Sequence, residues 1–404
     1  MKHVIIGTGA AGISAAKTIR ILNSNDEIVM LSADSIINSR SMLHKYISGE
    51  RDSASLRFVS ADFFDANNIS WLTRKVTSID TASKQVLTDA EPISYDRLLI
   101  ATGANSSTPP IGALQTAVNV FGLRHFTDAE SIKRASERAE KFVIIGAGLV
   151  GLDAAYALIE QGKRDITIVE MGDRILPVNL DPQAAASYQD LFEKMGCKFL
   201  LGARVTDTVT SGDVVTGISL ESGEILDCDL VIVATGTRPA IEFLADSNIA
   251  FERAITVDEN LRTSVPDVYA AGDVTGLSGI WPNAVNQGEI AGRNMCGDNA
   301  VYEDSFAMKN TINFFGLLTL SVGKTVPEED DVVLIREDRR NYKKLILTGD
   351  TISGVILQGD ISQSGFWQHM VKNKISIAGK NPWKLSYADF YSTKENGEFA
   401  WKTG

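Results

Sequence analysis

The 404 residues are 44% hydrophobic and 22% charged with only 10 prolines, which excludes disordered and fibrous chains and sets an expectation of two or three globular domains. A formal net charge of −12 disfavours non-specific nucleic-acid binding. No apolar run, "FFGLLTL" and "DLVIVATG" included, approaches the roughly 20 residues of a membrane-spanning helix. The charge is uneven: residues 311 to 404 hold 12 Lys and Arg against 11 Asp and Glu, or +1, which leaves −13 for the first 310. Cys197, Cys228 and Cys296 include no CxxC pair, so they read as reduced thiols of a cytoplasmic protein rather than a disulfide framework, a redox couple or an iron–sulfur ligand set.

A strand begins at His3, too near the start for a signal peptide. "KHVIIGTGAAGISAAKTIRIL" then reads as a buried strand, a GxGxxG turn containing Ala11, and an Ala-rich helix. Gly7 makes the tight turn, Gly9 lets the backbone approach a pyrophosphate, and Gly12 lets helix and strand pack closely; phosphates would rest on the helix N-terminus. Asp34 is the acidic residue expected some 20 positions later, placed to accept ribose hydroxyls. "YDRLLIATGA" is a further buried strand, closing on Ala101, Thr102 and Gly103. From Lys141, "KFVIIGAGLVGLDAAYALIEQG" repeats the opening pattern with Gly146, Gly148 and Gly151, and with Leu149 and Val150 at its helix start. "DITIVE" ends in Glu170, whose carboxylate would repel a 2′-phosphate and favours NADH over NADPH, although Arg174 is near in sequence. "CDLVIVATGTRP" repeats the strand-to-ATG shape, with Gly236. In "VPDVYAAGDVTG" a short strand ends at Gly272 and Asp273; this carboxylate is either a ligand contact at the strand's C-terminal end or a helix cap or turn residue. "KKLILTGDTISGVILQGD" fits two strands joined by a Gly-Asp turn.

The order GxGxxG, ATG, GxGxxG, ATG, AAGD resembles the pyridine nucleotide-disulfide oxidoreductase superfamily from residue 2 to about 320. The resemblance implies an α/β chain with two Rossmann-like dinucleotide-binding domains and a C-terminal mixed α/β interface domain at 313–404. The FAD-binding domain would be discontinuous, 1–109 and 243–312, with the NAD-binding domain inserted at 110–242. An interface domain implies a homodimer. In that family the first module binds FAD, the second binds NAD(P)H, and the aspartate matching Asp273 contacts the flavin's ribityl chain. "NSRSMLHKYISGE", residues 38 to 50, is similar to the RPxLSK stretch of ferredoxin and rubredoxin reductases and nitrite reductase flavin domains. "IWPNAVNQGEIAG" resembles their W-x-N-A-x-x-Q-G helix start, and "NTINFFGLLTLSVG" carries the likeness into the tail.

Relatives that use a thiol keep a single cysteine in the stretch aligned with residues 38 to 45, and the peroxidase branch adds a histidine in the first glycine loop. This chain has neither. The resemblance instead implies that Lys45 lies by flavin N5, where it would stabilise negative charge, with Asp153 standing where the family has a glutamate partner. Asp is one methylene shorter, which leaves direct pairing open. Arg40 is implied as an FAD phosphate or adenine-side contact. Trp281 is either a packing anchor or a residue near the flavin and the carrier's docking surface. The helix at Asn283 is expected to aim its N-terminus at the flavin's pyrimidine edge, with main chain around Gln287 nearby. His44 reads either as facing the flavin or as a satisfied or exposed histidine, and Trp367, Tyr391, Phe399 and Trp401 as domain packing. The expected activity is hydride transfer from NADH to FAD and release of single electrons to a small iron–sulfur protein, such as a rubredoxin, a ferredoxin or a ferredoxin-like subunit. The rival expectations are an NADH oxidase and a non-catalytic flavin-bound sensor.

Overall fold

Strand Lys2–Ile6 is buried over four of its five residues, so it sits inside a sheet covered on both faces. The computed structural model describes residues 1–304, 306 and 309–401, the side chains of Phe399 and Trp401 excepted, so those two aromatics lie outside the description. Among the described residues the α-helices are α1 (Ala10–Leu22), α2 (Leu43–Ile47), α3 (Phe63–Ala66), α4 (Phe126–Ser136), α5 (Leu149–Glu160), α6 (Pro182–Lys194), α7 (Trp281–Met295) and α8 (Ser364–Lys372). None of them is long and apolar enough to cross a membrane.

The chain divides into two compact units, Met1–Met171 with Met195–Ala307, and Gly172–Lys194 with Met308–Gly404. The first unit holds two five-stranded parallel sheets. One has strand order 268–270, 97–100, 2–6, 27–32, 69–73; the other has 197–201, 165–170, 141–145, 230–233, 120–121. In each sheet the strand leading into a glycine-rich turn is flanked on both sides, so the connections diverge beside its C-terminal end, where open α/β sheets bind ligands.

Alternation along the strands splits the core of the first sheet into two layers. Ile5, Ile28 and Met30 face α1 and α7, while Val4, Ile6, Val29 and Leu31 face the opposite side. Each such side chain contributes about 1.5–3 kcal/mol by leaving water. Small residues bring α1 and α7 together: a Cβ on Gly288 would sit 2.1 Å from the Ala11 carbonyl oxygen. Segments 104–106 and 237–239, which follow the two ATG motifs, pair as an antiparallel ribbon. There Thr102 donates its hydroxyl to the Ala240 carbonyl at 2.9 Å.

The second unit contains an antiparallel sheet of order 309–314, 317–323, 351–358, 342–348, 332–337, with α8 packed on it. The expected pair of strands in "KKLILTGDTISGVILQGD" is there, turning at Gly349 with φ +61°. The unit also takes in α6, whose Tyr188 is fully buried and donates its hydroxyl to the Leu317 carbonyl at 2.7 Å. Trp367 is buried, in keeping with a packing role, and Tyr391 lies 5.7 Å ring to ring from Tyr387.

Candidate functional site

The first glycine turn is built as its spacing predicts. Gly7 has φ +113°, and a Cβ there would lie 2.1 Å from the Ala101 carbonyl oxygen; a Cβ on Gly12 would lie 2.0 Å from that of Gly7. Gly9 has no neighbour within 4 Å of such a Cβ, so the space above it is open. No side chain caps α1, leaving its first-turn N–H groups facing that space. The second turn repeats the geometry: Gly146 has φ +104°, a Cβ on Gly151 would meet the Gly146 carbonyl at 2.0 Å, and Gly148 is open. Gly236 has φ +105° and is also unobstructed.

A pocket of about 300 Å³ opens on the first turn. Of the residues expected from sequence, Gly9, Ala11, Arg40, Ala101, Thr102, Gly103, Leu149, Val150, Asp153, Gly272, Asp273 and Trp281 line it. Leu149, Val150 and Asp153 belong to the helix of the second turn, so both glycine modules meet at one cavity. Gly7, Gly12, Asp34, Lys45, Asn283 and Gln287 are not among its lining residues, nor are Gly146, Gly148, Gly151, Glu170 and Gly236, which belong to the second module.

Two arginines, Arg40 and Arg124, lie on the wall. Arg124 is ion-paired to Asp273 and donates through Nε to the Ala104 carbonyl at 3.0 Å. It was not singled out in the sequence. It precedes α4, where the Asp128 carboxylate accepts the N–H groups of Arg124 and His125 at 2.8 Å each and fixes the turn. Arg40 lies 3.9 Å from Asp34, and its Nη1 is buried without a hydrogen-bond partner. Burial and then the like charge of Arg124 push the Arg40 guanidinium below its usual value. His125, then Arg40, hold the Asp34 carboxyl below the ordinary range. An orphaned arginine N–H, a second arginine, an open glycine and free helix N–H groups form a donor set suited to a pyrophosphate, so the residues present fit a dinucleotide.

Lys45 and Asp153 are not partners. Lys45 Nζ donates to both oxygens of Glu50, at 2.6 and 2.7 Å, and Glu50 lies only five residues away in sequence. Asp153 faces His44 instead, with Nδ1 to Oδ1 at 3.6 Å. The shorter aspartate leaves Lys45 to a local carboxylate. His44 itself lines the pocket, with its side chain 13% exposed. Burial, then Lys45, lowers the His44 pKa to about 4, while burial raises Asp153 to about 8 against the opposing pull of Lys45. Burial thus favours the neutral form of each. Helix α2, which carries His44, is held by Gln161 Nε2 donating to the Ile47 carbonyl at 2.6 Å and by the Tyr46 ring 4.7 Å from Phe126.

The first turn of α7 faces the pocket through Trp281 and Ala284. Trp281 meets Phe58 edge-on at 4.7 Å and remains 36% exposed, so it anchors packing and also keeps a solvent-facing side at the pocket. Asn283 turns away and donates to the Asp304 carbonyl at 3.0 Å. Gln287 Oε1 accepts the Gly272 N–H at 2.7 Å, so this side chain shapes the Gly272–Asp273 bend from behind. Asp273 lines the pocket and begins a short 3-10 turn. In the second module Glu170 Oε2 accepts the Ala147 N–H at 2.8 Å, fastening the acid to the glycine turn.

Residues 1–288 match the family described as pyridine nucleotide-disulphide oxidoreductase. The chain belongs to that family. As a pyridine nucleotide-disulphide oxidoreductase it carries a second match, over residues 309–375, to the rubredoxin NAD+ reductase C-terminal domain. The chain is 30% identical to the NADH-dependent phenylglyoxylate dehydrogenase subunit epsilon of Aromatoleum evansii, covering 93% of this chain and 92% of the relative. It is 29% identical to the NADH-rubredoxin oxidoreductase of Clostridium acetobutylicum, over 89% and 92%. Identity to the nitrite reductase [NAD(P)H] of Bacillus subtilis is 30% over 93% of this chain, but the chain spans only 48% of that protein. The solved covalent putidaredoxin reductase–putidaredoxin complex matches with TM-score 0.82 and 27% identity, over 93% of this chain and 94% of the solved one.

Proposed function

We propose that this oxidoreductase binds FAD with its pyrophosphate on the first glycine turn and its ring in the pocket, and NADH at the second turn. It then exchanges single electrons with a separate small iron–sulfur protein. Bound FAD supplies the two-electron to one-electron conversion. Arg40, Arg124 and the first turn of α1 would hold its phosphates, and the bend at Gly272 and Asp273, backed by Gln287, would hold its sugar chain. Glu170 favours NADH over NADPH because its carboxylate would oppose a 2′-phosphate. Lys45, ion-paired to Glu50, would support negative charge on the ring, and the uncapped start of α7 would act in the same sense.

The observation that carries this reading is the convergence of α1 and α5, the helices of the two glycine turns, on one pocket that contains no thiol. Ser41 lines that pocket, whereas burial pushes the Cys197 and Cys228 thiols up to about 12. With no thiolate at the pocket to receive electrons internally, the acceptor is external, as it is for the rubredoxin and putidaredoxin reductases this chain resembles. The test mixes the anaerobic flavoprotein and NADH with a panel of small iron–sulfur proteins. Reduction of at least one, well above the rate with free FAD, is expected. Rapid oxygen consumption with NADH alone and no carrier reduction would favour an oxidase; failure of NADH to bleach the flavin would favour a sensor.

A further inference from the structure

Hydride transfer delivers two electrons and one proton, but a one-electron carrier accepts only electrons. For every NADH consumed, one proton must therefore leave the site. The ionisable groups on the pocket wall are Arg40, His44, Arg124, Asp153 and Asp273. The arginines have no lone pair to offer, and Asp273 is committed to Arg124. Lys45, not among the lining residues, is likewise a donor only and is held by Glu50.

We propose that Asp153 and His44 form the proton exit of this pocket, Asp153 accepting the proton left behind when electrons depart singly and His44 passing it toward solvent. This inference rests on the proposed function and deepens it. The bond that would hold the transferred hydrogen on the reduced cofactor breaks, leaving its electron pair for the carriers, and an O–H bond forms on the Asp153 carboxylate; that O–H bond breaks in turn as the proton moves to His44 Nδ1, 3.6 Å away, and water takes it from the imidazolium. The two electrons go to two carrier molecules, NAD+ leaves, and both side chains return to their starting state. A carboxyl raised to about 8 is free to take a proton once the pH passes that value, and the step from Asp153 to an imidazole lowered to about 4 is uphill, drawn forward because the imidazolium gives its proton to water at once. The charged and titratable groups around the pair are Lys45, Glu50 and Arg51 from α2 and the turn after it, Tyr156 and Glu160 on α5, Lys133 of α4 beside the Tyr46 ring, and Arg40, Arg124 and Asp273 on the pocket wall. Lys45 opposes the upward shift of Asp153 and deepens the downward shift of His44.

The sign of the pH effect follows. Below about 8 the Asp153 carboxyl is mostly protonated and cannot accept, so reoxidation by a one-electron acceptor should rise about tenfold per pH unit up to that point and then level. The test reduces the flavoprotein anaerobically, reoxidises it with ferricyanide from pH 6 to 9, and follows the reoxidation at pH 9, where Asp153 starts ionised, by time-resolved infrared spectra in H2O and D2O. Wild type should show the rise with pH and a protonated-carboxyl band that moves in D2O. Asp153→Asn should lose that band and the pH dependence and reoxidise roughly a hundredfold more slowly; His44→Gln should keep the band with a smaller slowing. Asp153→Glu should restore both band and slope. If Asp153→Asn fails to retain flavin, the wild-type band and His44→Gln still decide. A variant that binds flavin and is bleached by NADH, yet keeps the wild-type band and slope, overturns the proton exit alone. Absence of NADH bleaching in wild type overturns the functional reading beneath it.

Discussion

The two glycine turns have nearly the same backbone and different surroundings. Gly9 and Gly148, which precede α1 and α5, have φ of −78° and −76° and ψ of −170° and −174°. Around the first, Arg40, Arg124 and the Gly272–Asp273 bend form an enclosing wall, and α7 presses against α1 through Gly288. At the second, Glu170 is fastened to the turn, but Val150 is 38% exposed and Met171 is 66% exposed. On the proposed function, the more enclosed seat would suit a resident cofactor, and the more open one a ligand that must arrive and leave at every turnover.

The largest test of that contrast is steric. A Cβ at Gly12 or Gly151 would stand 2.0 Å from a carbonyl oxygen, so alanine at either should cost about 3 kcal/mol or more locally. Gly12→Ala is expected to purify without flavin, and Gly151→Ala to retain flavin but not bleach with NADH; equal loss of flavin in both would break the division of labour. A smaller effect is expected from Arg40→Leu, which removes an unpaired donor from the enclosed seat and should weaken flavin retention by about 1.5–3 kcal/mol, read from the flavin-to-protein ratio after dialysis. The smallest effect belongs to the open turn. Glu170→Ala should narrow the preference for NADH over NADPH by about tenfold in kcat/KM while leaving flavin content unchanged. An unaltered preference would move coenzyme selection to another residue, Arg174 first among them.

Local patterns were the readable part of this chain. The strands, both turns, the acids after them and the hairpin at Gly349 follow from runs of a dozen residues, because periodicity and positive-φ glycines are local constraints. What the sequence did not disclose depends on which distant segments meet. Arg124 carries no motif of its own and matters because the turn before α4 delivers it to Asp273, 149 residues further on. Lys45 was read against Asp153 on another helix, whereas Glu50, five residues away, holds it. His44 looked ordinary for the same reason: its neighbour Asp153 is 109 positions along the chain, and only the packing of α2 on α5 brings them together. The unit boundary that assigns α6 to the antiparallel sheet is equally a long-range fact.

That last assignment has a consequence for how the protein is made and cut. Helix α6 emerges between strands 165–170 and 197–201 of a parallel sheet, yet its Tyr188 waits for Leu317, 129 residues later, and its Ala184 carbonyl for Gln358, 174 residues later. During synthesis the apolar face with Tyr188 and Phe192 must therefore stay uncovered until the tail is complete, a late and entropically costly closure. A truncation after residue 307 would keep every residue of the first unit, but with a piece of the second still inserted in its chain. It would leave a helix stripped of its sheet, so two units that are compact in space are interleaved along the chain.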